Sequence, residues 1–395
     1  MALLEQGFEL YVAAGENRDW IYSVLPPEQV LITDPYNMQI LLPDILLFSE
    51  SHNIGFDGVL TFFEHGVLQT ALVAKSLGLK GIEPIAALRS SLNKISMRNI
   101  LVGSGLSRLM FSVATSLEDL VNHVKKIGFP CVIKPYRGNN SYGVRKISDT
   151  GDIQSYISQY ILECSPEREK VFSYKRDVFL IEEYCSGTVL SIDGISSEGK
   201  IHFAGIVEIG MSDEPYFIQK ENYFPSRLTS SQCDECFSFV EEIIRVLSLN
   251  ECAFHAEARM APNGFELMEI AARPPGGHLI TLYKKALGIN LAHQTANLAL
   301  NRPVDLSPRT YNGVLQRGVF IDTGSILTKA VGYKALQKNK HVFEFLEVTK
   351  AGERILHHPK SYPKPIYYYG ISGSDRPVLE DIARKLEAEV CLTIS

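Results

Sequence analysis

The sequence predicts an α/β protein of more than one domain, and three observations carry that expectation. Residues 1–90 alternate apolar strand-like runs with an amphipathic helical stretch, the pattern of an open parallel sheet with helices on its faces. Residues 129–147, "FPCVIKPYRGNNSYGVRKI", read as strand, glycine-containing turn, strand. Residues 255–277, "HAEARMAPNGFELMEIAARPPGG", read as a second hairpin that carries three acids. At 395 residues the chain is also long for a single core.

In chain order, "FELYVAA", "QVLIT", "DILLF" and "DGVLTFF" read as buried parallel strands, and "EHGVLQTALVAKSLG" as a helix stopped by Gly78. The chain opens on what looks like a helix end, "ALLEQG". A doubly wound domain opens on a strand, so the first strand is expected to be missing or displaced. Helices follow around "NKISMRNIL" and "SLEDLVNHVKKIG", then the strand–turn–strand piece. "VFLIEEYC", "VLSIDGISS" and "KIHFAGIVEIG" read as strands. A helix near 231–248, the acidic hairpin and a helix over about 279–300 come next. Residues 301–395 hold shorter strands and a final helix, "VLEDIARKLEAEV". Boundary signals lie near 90 and at "NRPVDLSPR", which predicts domains over 1–90, 91–180 and 181–395.

Composition excludes several function classes. The net charge of −6 argues against a nucleic-acid surface. No apolar run reaches membrane-spanning length, and the amino terminus lacks the order of a signal peptide. Seven scattered cysteines read as reduced thiols, so a cytoplasmic protein is expected. Cys233-x-x-Cys236 has no second ligand pair at metal spacing and sits in a helical pattern, so both read as ordinary helix positions.

The acidic hairpin poses the chemical question. A three-residue loop over Pro262-Asn263-Gly264 would pair Ala261 with Phe265 and set Glu257 opposite Glu269. Two carboxylates so placed repel unless something positive lies between them. On that reading, replacing one acid by an amide relieves the repulsion and slightly stabilises the chain. His255 lies two residues before Glu257 on the same strand face and, taken alone, reads as a packed, hydrogen-bonded histidine. Lys134 ends a buried strand, and Gly138, Ser141 and Gly143 in the turn after it would let backbone N–H groups approach a phosphate. Such a turn is by itself most simply a turn. "LIEEYCSG" carries two acids that alone read as solvated edge charges. Lys94 and Arg98 lie four apart and alone read as a basic surface face.

The order of these pieces resembles the ATP-grasp superfamily over about residues 55–300. A lysine on a helix precedes strand–Lys–Pro–glycine turn, Glu-Glu-Tyr, an acid before a turn and Glu-x-x-x-Arg. "MEIAARPPGGHL" looks most like the branch of L-amino acid ligases that form dipeptides. The resemblance implies an amino-terminal parallel α/β domain, a small antiparallel lid and a larger carboxy-terminal sheet domain. It implies ATP and two Mg2+ ions, with Mn2+ a substitute, as cofactors. It places Glu257 and Glu269 on the metal and Lys94 and Lys134 on the phosphates, with Gly138, Ser141 and Gly143 closing over them. Glu182 and the backbone of Glu183 and Cys185 would face the adenine. Arg273 would be catalytic, and Glu64, His278 and Arg317 would touch substrate.

The implied reaction joins a carboxylate, taken as an amino acid, to an amine through an acyl phosphate, releasing ADP and phosphate. Its partners would be small molecules, with no nucleic acid and no membrane, and a homodimer is allowed. A ligase or carboxylase for another carboxylate, or a nucleotide-binding module without turnover, stays open. The sequence departs from the family at three places. Val189 stands where many members carry a ribose-binding Glu, Ala271 where many carry Asn, and Asn140 where Gly is frequent.

Overall fold

The computed structural model describes residues 3–16, 19–138, 141–166, 172, 177–212, 214–321, 324–356 and 364–395. Its largest element is an eight-stranded sheet. From one edge it runs Gly264–Ala271, Cys252–Ala261, Thr188–Ser197, Lys200–Met211, Gln219–Phe224, Gly313–Val319, Tyr367–Gly373 and Val342–Glu347. Every pairing in it is antiparallel. A four-stranded antiparallel sheet orders Phe111–Ala114, Phe179–Glu183, Cys131–Pro135 and Arg145–Ile147. Val12–Ala14 and Val30–Ile32 form a short parallel pair.

The amphipathic elements sort onto the sheet faces. The helix Ser230–Leu247 buries Val240, Ile243, Ile244 and Leu247 against Phe254, Ala256, Ala258, Leu267 and Ile270. Those five residues cover one face of the hairpin Cys252–Ala271 with apolar side chains, so its acids are left to the other. Thr229 and Gln232 form a reciprocal capping box at the start of this helix. Cys233 and Cys236 are free thiols on the helix, as expected. The helix Leu279–Leu287 packs Leu282, Tyr283 and Ala286 on Ile195, Val207 and Ala253. The smaller sheet has its own core with the helices Leu120–Ile127 and Thr150–Glu163. The carboxy-terminal helix Arg376–Ala388 covers Leu315, Tyr367 and Ile371 of the large sheet.

Several expectations are corrected. "DILLF" lies within the helix Met38–His52, capped by the Asn37 side chain, which accepts from the N–H of Gln39. Leu41 and Phe48, two turns apart, face inward, while Leu46 and Leu47 are exposed. A short apolar run cannot by itself distinguish strand from helix. "DGVLTFF" forms no strand. Leu60 and Phe62 pack with Leu3, Ala292 and Ala296, so their burial comes from a helix rather than a ladder. A Cβ on Gly58 would sit 2.8 Å from the Ala299 carbonyl, which shows how closely this segment approaches the helix Leu291–Ala299. The expected helix over 279–300 is two helices, broken at Gly288 in the left-handed conformation. The strands Phe111–Ala114 and Gln219–Phe224 and the helix Thr150–Glu163 had no counterpart in the sequence reading.

Candidate active site

Glu257 does face Glu269, but by a different route from the one expected. The turn has two residues, Pro262 and Asn263, and Ala261 pairs with Gly264. Left alone, that register would set Glu257 opposite Met268. A bulge between Ala258 and Glu257 absorbs one residue of the partner strand and restores Glu257 to Glu269. The extra residue, Met268, turns its carbonyl toward Lys134, whose ammonium donates to it at 3.4 Å. The irregularity therefore ties the hairpin to the four-stranded sheet.

The two facing acids are not left to repel each other. Lys94, at the start of the helix Lys94–Gly103, pairs with Glu269 at 3.0 Å. It also donates to the carbonyls of Ser91 (3.3 Å) and Gly138 (3.1 Å). Burial pushes the Glu269 carboxyl up, yet Lys94 beside it, helped by Lys134 and Arg273, holds it below the usual carboxylate range. Glu257 instead meets His255, whose Nε2 lies 3.4 Å from Glu257 Oε1. The other ring nitrogen, Nδ1, is 2.7 Å from Asp193. Burial alone would lower the imidazole, but Asp193 and Glu257 raise it to about 10.

Behind this pair lies a fully buried charge network that sequence reasoning missed. Arg98 is completely buried, not a surface face. It donates to Glu182, to Glu266 at 2.8 Å, to the hydroxyl of Ser107 at 2.8 Å and to the Leu267 carbonyl at 2.7 Å. Ser107 in turn donates to Glu266. Glu182 also pairs with Lys134, so both of its oxygens are engaged. Burial pushes Glu182 up, but Arg98 and Lys134 outweigh it and leave the carboxyl below its ordinary range. Burial lowers Lys134. The clue in the sequence was the density of acids in a strand otherwise apolar: charges there must be paired.

The remaining candidates divide. Arg273 donates through Nε to Glu64 at 2.8 Å and through Nη1 to the Pro274 carbonyl at 2.9 Å. Glu64 is buried and also accepts from the Ser91 hydroxyl. Arg273, Glu64, Lys94 and Glu269 are thus joined through Ser91 and neighbouring charges. The hairpin strand ends at Ala271, so Arg273 reaches the site from the following loop rather than from a strand face. His278 stacks on Tyr368 with 3.7 Å between ring centres and meets Glu344 at 2.8 Å. Arg317 is engaged by Glu221, Glu380 and Glu387, the last two on the carboxy-terminal helix. None of these contacts brings His278 or Arg317 onto the facing acids.

Gly138, Ser141 and Gly143 all have positive φ. A Cβ on Gly143 would meet Cys164 Sγ at 2.7 Å and Pro135 Cγ at 2.9 Å, so glycine is required there for packing. Asn140 lies outside the described residues. Glu183 is exposed, and its N–H donates to the Met110 carbonyl. Burial raises the Cys185 thiol. Val189 is paired in the ladder with Arg259, whose guanidinium donates to the Gly187 carbonyl at 3.2 Å and lies over Tyr184 and Phe217.

A lysine-bearing antiparallel sheet therefore closes on a diacidic hairpin across a seam of paired charges. The family description "ATP-grasp domain" matches residues 127–282, which include Lys134, Glu182 and both facing acids. Residues 127–282 of this chain thus match an ATP-grasp domain. Alanine–anticapsin ligase of Bacillus subtilis is 25% identical over 254 residues, covering 60% of this chain and 52% of that protein. Carnosine synthase 1 of Gallus gallus is 26% identical over 262 residues, covering 64% and 28%. The chain thus spans about half of the first relative and less than a third of the second. The fold of the L-amino acid ligase from Bacillus licheniformis superposes with a TM-score of 0.75 at 21% identity, covering 89% of this chain and 84% of that one. ATP-grasp proteins use ATP and divalent metals. Among the described residues no three His, Cys, Asp or Glu side chains form a metal-binding group. Two hard carboxylates facing each other still fit magnesium, which needs only one or two protein carboxylates beside phosphate oxygens and water. No helix among the described residues is long and apolar enough to cross a membrane.

Proposed function

We propose that this chain is an ATP-dependent ligase that joins the carboxylate of an amino acid to an amine, releasing ADP and phosphate. The observation that carries the reading is the convergence of Lys94, Lys134 and Arg273 around Glu269, the acid that faces Glu257, where the two sheets meet. The names of the two ligase relatives and the amino acid ligase fold support the substrate class. Residues 1–90 act as the domain preceding the grasp, 91–180 as the lid and 181–395 as the large subdomain.

Each group has a task in this scheme. The carboxylate oxygen attacks the γ-phosphorus, the bond to the β-phosphate oxygen breaks, and an acyl phosphate and ADP result. The amine then attacks the acyl carbon, the bond to the phosphate oxygen breaks, and the amine proton leaves with solvent or phosphate. Lys94 and Lys134 bind the phosphates, and the 138–143 turn covers them. Glu257 and Glu269 hold magnesium, which supplies charge compensation for the phosphate oxygens. Arg273 places its charge on the phosphoryl group in transfer and on the oxyanion that follows. Glu64 orients Arg273 while it waits. The adenine lies along the backbone of Glu183 and Cys185, with Glu182 behind it. Such chemistry depends on positioning and charge more than on a protein nucleophile.

The test is ADP release with magnesium and ATP over amino acids, singly and in pairs. Release that requires an added amino acid, with a matching peptide-bonded product, is the expected result. Release with no amino acid dependence, or nucleotide binding with no release under any pair, refutes the assignment.

A further inference from the structure

The side chains beneath Glu257 form a chain that the ligase reaction itself does not call for. Asp193 is completely buried, on the strand next to Glu257. It accepts three hydrogen bonds, each at 2.7 Å: from His255 Nδ1, from the Ser191 hydroxyl and from the Tyr283 hydroxyl. Tyr283 comes from the helix Leu279–Leu287, and its hydroxyl oxygen also lies 3.2 Å from the Gly205 carbonyl. A side chain on Gly205 would run into the Tyr283 ring at 3.3 Å, so the sheet leaves room for it. His255 is directly opposite Asp193 in the ladder, and Glu257 is opposite Ser191. The imidazole is therefore fixed on one side by a buried carboxylate and turns its free nitrogen, Nε2, to Glu257.

The two facing acids are thus held differently. Glu269 is held by Lys94, a flexible side chain on another element whose ammonium has other acceptors in reach. Glu257 is held by a short, rigid imidazole on its own strand, itself locked by three further residues. A ring between two carboxylates can donate from both nitrogens. Groups that hydrogen-bond to a ligating carboxylate set its orientation, and losing one typically weakens metal affinity 10–100-fold.

We infer that His255, locked by Asp193, Ser191 and Tyr283, is a positioning residue that aims the Glu257 carboxylate at the divalent cation. This rests on the reading of Glu257 and Glu269 as the metal acids. A packing role alone would place the free nitrogen of His255 against the core. Here it lies on the face of the hairpin that carries the acids, two residues from one of them.

The experiment is Mn2+ binding to the full chain with a non-hydrolysable ATP analogue, read by electron paramagnetic resonance, so that no turnover is needed. Melting temperature is recorded on the same samples. Asp193→Asn keeps the shape of Asp193 and removes its charge. His255→Gln keeps an amide toward Glu257 and loses the anchor. Each is expected to weaken Mn2+ binding about tenfold or more at temperatures where it is fully folded. Glu257→Gln is the reference. If Glu257→Gln leaves Mn2+ binding unchanged, the metal-acid reading itself fails. If Glu257→Gln weakens binding but folded Asp193→Asn and His255→Gln bind as the wild type does, the metal acids stand and the positioning role is overturned. Should Asp193→Asn not fold, His255→Gln decides alone. Lowered melting with unchanged Mn2+ affinity is the signature of a purely structural dyad and also overturns the inference.

Discussion

Replacing Arg273 separates catalysis from charge balance, because the structure gives this residue a second occupation. Its side chain is 13% exposed and that of its partner Glu64 is 4% exposed, so the pair is largely withdrawn from water. Arg273→Met strands the Glu64 carboxylate with only the Ser91 hydroxyl as a donor among the contacts described above. Breaking a buried pair on one side costs about 3–5 kcal/mol, so this variant should melt distinctly lower. If Arg273 also stabilises the transferring phosphoryl group, turnover per folded molecule should fall by about 100–1,000-fold, the scale of losing one such donor. Arg273→Lys tells the two effects apart. The ammonium still neutralises Glu64, so melting should stay close to wild type. It lacks the planar fork of donors, so turnover should still fall by tenfold or more. The assay is ADP release at saturating ATP, with nucleotide affinity and melting measured on the same preparations. Near-normal turnover in Arg273→Lys would show that Arg273 does no more than balance Glu64.

Three other outcomes follow from the charge pairs. Glu269→Gln should abolish ADP formation at ordinary magnesium, because a neutral amide is a poor ligand. It should also lower the melting temperature, reversing the sign expected from like-charge repulsion, because it strands Lys94; a melting temperature at or above wild type would contradict the Lys94–Glu269 pairing. Trypsin cleavage at Arg137, beside the turn proposed to cover the phosphates, should slow when ATP and magnesium are added, and an unchanged rate would count against that covering role. Burial pushes Glu182, Glu208, Glu269 and Glu380 up, but neighbouring cations, joined at Glu380 by the Tyr223 hydroxyl, hold all four below the usual carboxylate range. A depressed folded-state value contributes stability that is complete above the unfolded value of about 4.3 and is lost as pH falls through the folded one. Melting temperature should therefore hold or rise slightly from pH 7 to 5, because the contribution of His255, raised to about 10, becomes complete below its unfolded value of about 6.5, and should drop below about pH 4; a decline that is already steep at pH 6 would refute this.

What the sequence revealed, and what it hid, follows the range of the interactions. The hairpin, the helix stopped by Gly78 and the strand–turn–strand around Lys134 were legible because turn residues and hydrophobic period act locally. The facing of Glu257 and Glu269 was reached through a loop length that proved wrong. Two features compensated: a turn shorter by one residue and a bulge longer by one. Neither leaves a mark on the alternation that a single sequence displays. "DILLF" and "DGVLTFF" were misread because burial alone was visible, and both a helix face and a loop packed on a helix can supply it. The partners of Arg98 were hidden for another reason. Ser107, Glu182 and Glu266 are 9, 84 and 168 residues from it along the chain, and only the folded seam brings them together. The family resemblance located Lys94, Lys134 and Glu182 near one another but did not reveal that Glu182 is committed to two cations.

Those commitments explain how a seam so rich in charge, which we propose holds phosphates and metal, is stable in itself. A lysine or carboxylate left alone in a half-buried seam would cost several kcal/mol. Each charge here has an opposite instead: Lys94 with Glu269, Lys134 with Glu182, Arg98 with Glu182 and Glu266, Arg273 with Glu64, and His255 with Asp193 and Glu257. Facing acids are therefore not a defect of the hairpin. Each has its own cation, and the cations come from different elements, so the charge pairs also fasten the helix Lys94–Gly103 and the four-stranded sheet to the hairpin. The arrangement constrains any ligand that enters. A phosphate that draws Lys94 away leaves Glu269 needing a new positive partner, and a cation on Glu269 frees Lys94 for the phosphate. Either exchange alone strands a charge, whereas both together strand none.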